Sequence, residues 1–121
     1  MSIQLTYRMK MKRFYRIAAD KLQKKGLVAF MMQPHQLAFT RKSRMGGGWL
    51  TRYKEKWYFA TWHPQMYLIR SKQDIPGLCK DYLGYKMIGL TMPEELAAKY
   101  HLQEIPDAEM ELMFNDLFGG W

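Results

Sequence analysis

Three histidines, His35, His63 and His101, and one cysteine, Cys79, are the residues of this chain best suited to metal or nucleophilic chemistry. No two of the histidines have the spacing that puts two ligands on one helix face, and none has a cysteine nearby. No metal site is therefore expected, nor any cofactor. Cys79 falls on an apolar helical stripe, where a thiol packs as a small hydrophobe. As a nucleophile it would need a histidine and an orienting group beside it in space. An enzyme would require a pocket joining His63, which precedes Pro64, to a carboxylate such as Asp74. Most of the other acids crowd the end of the chain: Glu94, Glu95, Glu104, Asp107, Glu109, Glu111 and Asp116. Several fall in helix first turns, where a negative charge is favoured for structural reasons. A binding module is expected rather than an enzyme.

A different chemistry lies between residues 41 and 62. Arg41, Lys42 and Arg44 place three cations in four residues, and Gly46-Gly47-Gly48 follow. That pattern offers mobile charge and a backbone that can approach an anion closely. It is not a P-loop, because Gly48 is followed by Trp49 on a strand and not by Lys-Ser/Thr opening a helix. Downstream, Trp49 and Tyr53 share one strand face, and Leu50, Arg52 and Lys54 share the other. Trp57 and Phe59 share a face, while Tyr58, Ala60 and Trp62 take the reverse. Both faces of the Trp57 strand are thus apolar, unlike a sheet with one face in water. Either helices cover both faces and the aromatics are core, or one face is partly open. In the open case, bases of a single strand stack on Trp49, Tyr53 and Trp57, and cations hold the phosphates.

Charge is divided along the chain. Residues 1–60 carry 14 Lys and Arg against two acids, a balance of +12, and residues 61–121 carry five against nine, a balance of −4. Such asymmetry points to a polyanionic partner for the first half. The reading that follows is a small basic nucleic-acid-binding module for DNA or RNA. Its contacts are expected from Arg41, Lys42, Arg44, Arg52 and Lys54, and from Arg13 and Arg16 on a first helix. The alternative is a protein-binding module of the inhibitor, immunity or adaptor type, with a protein partner or a second copy of itself. Eleven methionines and an apolar end built from Met110, Phe114 and Trp121 would supply its surface.

The elements that must position these residues can be read from periodicity. A chain of 121 residues with 48% hydrophobic and 25% charged residues fits one globular domain. The longest apolar run, residues 27–32, is far short of the roughly 20 residues of a membrane helix. No secretory pattern opens the chain, so a cytoplasmic protein with reduced Cys79 and no membrane partner is expected. Tyr7, Met11, Phe14, Ala18 and Leu22 fit a helical stripe, which predicts a helix over about 7–25 that stops at Gly26. The opening residues also alternate at strand period, and good helix formers decide between the two. Strands are expected near 27–33, 36–40, 49–53, 57–62 and 66–70, forming an antiparallel meander of four to five strands. Residues 85–90 read as an extended link or a further strand. Two to three helices then pack on the sheet, one over 75–83 capped by Asp74, one from 93 opened by a Thr91–Glu94 capping box, and one from 107 capped by Asp107. The fold class is α+β.

Overall fold

The computed structural model describes residues 3–33, 36–41, 47–61, 65–85 and 91–118, with side chains of 3–12, 30–33 and 118 left aside. Helix α1 spans Ile3–Lys24. Strands β1 (Val28–Gln33), β2 (Gln36–Thr40), β3 (Gly48–Tyr53), β4 (Lys56–Ala60) and β5 (Met66–Ile69) follow. A 3-10 turn over Lys72–Asp74 leads into α2 (Ile75–Gly84). Then come α3 (Glu94–Lys99), β6 (Gln103–Glu104) and α4 (Asp107–Phe118). The six strands form one antiparallel sheet in sequence order. The architecture is the expected α+β meander with flanking helices, with one strand more. That strand is the two-residue β6, which pairs Gln103 with Leu68 and Glu104 with Tyr67.

Local chemistry explains how α1 stops. Gly26 stands at φ +86°. Its amide donates to the Gln23 carbonyl, and the Leu27 amide donates to the Leu22 carbonyl at 3.1 Å. This double closure satisfies carbonyls that the helix end would otherwise orphan, and Leu22 and Leu27 meet in the core as it forms. The helix begins at Ile3, earlier than the stripe implied. At the β3–β4 hairpin, Lys54 and Glu55 both have positive φ, 48° and 67°. A two-residue turn of this hand matches the right-handed strand twist.

None of the three expected caps stands where it was read. Helix α3 starts after Pro93, and Thr91 makes no capping hydrogen bond. A cap at Thr91 would place Met92 inside the first turn, yet a residue before proline is pushed toward extended backbone. Asp74 precedes α2 but is itself helical (φ −78°, ψ −17°), because the 3-10 turn runs straight into the helix. Its side chain makes no capping hydrogen bond. At α4 the Pro106 carbonyl accepts the Met110 amide at 3.0 Å, so Asp107 sits in the first turn. Residues 42–46, 62–64, 86–90 and 119–121 fall outside the described residues, and with them the basic loop's Lys42 and Arg44, His63, the 86–90 link and Trp121.

Both faces of the sheet are covered, which is why β4 is apolar on both sides. On one face α1, α2 and α3 bring Tyr15, Leu22, Leu78, Tyr82 and Leu96 against Leu37, Phe39, Leu50, Trp57, Phe59 and Tyr67. On the other, α4 lays Met110, Met113, Phe114 and Leu117 over Trp49, Tyr53, Tyr58, Ala60, Met66 and Leu68. Cys79 lies in the first core, and burial pushes its thiol well above the ordinary value, so it is unreactive while the fold holds. Thr51 is fully buried under the second, and its hydroxyl has no hydrogen-bond partner among the described residues. Its desolvation is uncompensated. Thr51→Val keeps the shape and removes that penalty. Urea unfolding of this variant is expected to show a gain of about 1 kcal/mol at unchanged slope.

Candidate functional site

The β3–β4 register sets Arg52 opposite Trp57 on the face that α1 covers. Described pairing with β2 ends at Thr51, and the next amide, that of Arg52, donates instead to the Tyr15 hydroxyl at 2.8 Å. Tyr15 in turn meets Trp57 edge-on, with ring centroids 5.4 Å apart. This lock fixes α1 against the hairpin and presents the next face of the helix to the Arg52 side chain. The guanidinium stacks over the Phe14 ring at 3.8 Å and stands 5.6 Å from the Trp57 ring. Such cation–π contacts hold a cation in place without neutralising it.

Around this stack lies a recess of about 160 Å³ between α1, the hairpin and the start of α2. Phe14, Ile17, Ala18, Trp57, Ile75 and Pro76 form its apolar wall, and Lys21, Arg52 and Lys72 form its polar part. Phe14 is 37% exposed and Ile17 45%, so apolar surface stands open here. Phe14, Ile17 and Lys21 follow one stripe of α1 at i, i+3, i+7 spacing. No carboxylate is among the described residues that line the recess. A wider depression of about 810 Å³ near α3 sets Asp74 beside Arg70 and lacks this uniform sign.

Among the described residues no first-half cation forms an ion pair with an acid. Among the described residues the one ion pair joins Lys99 and Asp81, at 2.9 Å. The Tyr100 hydroxyl, donating to Asp81 at 2.6 Å, and the Lys99 ammonium hold that carboxyl below its ordinary value.

The residues expected to bind an anion are distributed over several regions. Arg52 and Trp57 come together, and Trp57, at 7% exposed, contributes to the recess wall from within the core. Arg13 lies one turn from Ile17 on α1 and is exposed, whereas Arg16 lies on the side of the helix away from Phe14 and Lys21. Trp49 and Tyr53 face α4 instead, half-buried. Lys54 turns with them, its ammonium 5.2 Å from the Tyr53 ring. Arg41 is exposed and donates to the Tyr85 carbonyl at 3.4 Å. Met110 and Phe114 are turned onto the sheet, which leaves Leu112, 69% exposed, as the large apolar side chain α4 shows to solvent. Phe14, Ile17, Lys72, Ile75 and Pro76 were not anticipated as a site. Phe14 belonged to a stripe read as core. The signal that separates it is the competing Tyr15-Ala18-Leu22 stripe, which takes the core and leaves Phe14 on the flank.

The Tyr53 hydroxyl donates to Asp116 at 2.6 Å and ties α4 to the hairpin. The carboxylate acceptor raises the Tyr53 phenol above its ordinary value, with burial adding to it and Lys54 opposing it. A raised value means this bond's contribution is complete below the ordinary phenol pKa, about 10. It is lost as pH rises through the folded value. Amide exchange in α4 is expected to accelerate on that alkaline limb, and Tyr53→Phe should show the fast exchange already at neutral pH.

Among the described residues no group of three His, Cys, Asp or Glu side chains is placed to hold a metal ion, and no helix is long and apolar enough to cross a membrane. Compared with protein-family models, with curated proteins and with solved structures, the chain matches none.

Proposed function

We propose that this protein binds nucleic acid along α1 and the β3–β4 hairpin. The observation that carries the reading is the convergence of Lys21, Arg52 and Lys72, from three separate elements, on an aromatic recess without a carboxylate. Cations gathered in this way repel one another, and a phosphate backbone relieves that repulsion while releasing its own counterions. Arg13, Lys24 and Lys25 extend the exposed positive charge along α1. Phosphate contacts to these groups supply affinity and fix orientation.

The test is binding of labelled DNA and RNA oligomers across a salt series. A linear fall of log affinity with log salt, steep enough for several phosphate contacts, is expected. Absence of binding at low salt, or affinity indifferent to salt, rejects the proposal.

A further inference from the structure

We infer that the recess receives one unpaired uracil or thymine base of a single-stranded nucleic acid, with the flanking phosphates on Lys21 and Lys72. This rests on the nucleic-acid reading and specifies what the site accepts. Three features of the recess lead to it.

The first is size. A volume of about 160 Å³ is close to the roughly 150 Å³ that holds a benzene ring in a protein interior. One six-membered ring fits within it, and the second ring of a purine is left at the mouth. The second is the wall. Ile17 from α1 and Ile75 and Pro76 from α2 give apolar contact, and the Arg52 guanidinium, already held over the Phe14 ring, offers a planar cation to a second ring. A base paired in a duplex cannot reach such a wall without leaving its stack. The third is the hydrogen-bonding sense. The polar side chains of the lining are Lys21, Arg52, Lys72 and Trp57, and every one is a donor with no acceptor atom. Uracil and thymine present two carbonyl acceptors and a single N3–H donor, which turns to water at the mouth. Cytosine and adenine bring an amino group with two donor hydrogens, and the described lining has no side-chain acceptor for them.

The arrangement of the rim fits the same ligand. Lys21 lies on the helix and Lys72 on the 3-10 turn before α2, so both walls of the recess carry a cation, and both are exposed. A base entering from between them leaves its 5′ and 3′ phosphates near the two ammonium groups.

The experiment measures fluorescence anisotropy of labelled oligo(dT), oligo(dC) and oligo(dA) of one length, and of a dT·dA duplex, at one fixed salt concentration. Oligo(dT) is expected to bind at least about tenfold more tightly than the other three, as a well-stacked base allows. Phe14→Ala and Ile17→Arg, both at partly exposed positions, should erase that preference. Their salt slopes should not fall. If all four probes bind equally and steeply with salt, base insertion is overturned and the broader reading survives. If none binds at low salt, both fall. If benzoate saturates the protein while the oligomers show no preference, the recess is a site for small aromatic anions and the inference is wrong.

Discussion

Changing Lys21, Arg52 and Lys72 together to Gln is expected to lower the salt slope of nucleic-acid binding by about 2, since each phosphate contact on a single strand contributes about 0.7. The three side chains come from α1, β3 and the turn before α2, and they share the recess. None has an ion pair in the described structure, so their removal strands no buried carboxylate. The variant should therefore fold, and its loss should appear in affinity and slope together. Lys80→Gln removes one charge from the exposed surface of α2, where Asp81 and Lys99 stand nearby, and should leave the slope nearly unchanged rather than lower it by a third of the triple variant's effect. A triple variant with the parent slope would place the phosphate path elsewhere. Arg52→Lys separates charge from geometry. It keeps the cation but loses the planar stack on Phe14, so affinity should fall a few-fold at constant slope.

Phe59→Ala is expected to cost about 4 kcal/mol. Phe59 is fully buried at the centre of the sheet. Its ring meets Phe39 at 5.4 Å and Tyr82 at 4.9 Å, both in tilted or edge-on arrangements, and its strand neighbours are Leu50 and Tyr67. Truncation would leave a cavity walled by four aromatic or aliphatic groups on a rigid sheet, which has little room to collapse. A domain of this size has only about 5–15 kcal/mol in total. Thermal unfolding should shift down by roughly 15 °C. Phe14→Ala is the internal control. It is the same chemical change on the open rim, and its cost should stay below about 1 kcal/mol. Equal losses from the two variants would contradict the division between core and recess.

Much of the scaffold was legible because it obeys short-range rules. Gly26 marks the end of α1, and short apolar runs bounded by turn residues mark β2 to β5. The apolar pattern on both sides of Trp57-Tyr58-Phe59 already required cover on both faces. What could not be read was decided by tertiary contact. Strand β6 is two exposed polar residues, Gln103 and Glu104, and only pairing with β5 makes it a strand. The Thr91 cap failed because a pattern of residue types outweighed the constraint of Pro93 on the residue before it. The recess was hidden for a related reason. Phe14 and Ile17 are apolar, and apolar residues on a helix are counted as core until a neighbouring stripe claims that role. Arg52 was recognisable as a cation, but its place on Phe14 depends on the hydrogen bond from its own amide to Tyr15.

The order of the strands also bears on how quickly the chain reaches this state. Each strand from β2 to β5 zips against the one made just before it, across connections of a few residues. Little loop entropy is spent before each new ladder repays it, so folding should run toward the fast end for sheet proteins. The docking of α2, α3, β6 and α4 waits for the sheet, and a nascent chain leaving the ribosome would hold its aromatic strands paired before its acidic tail is made.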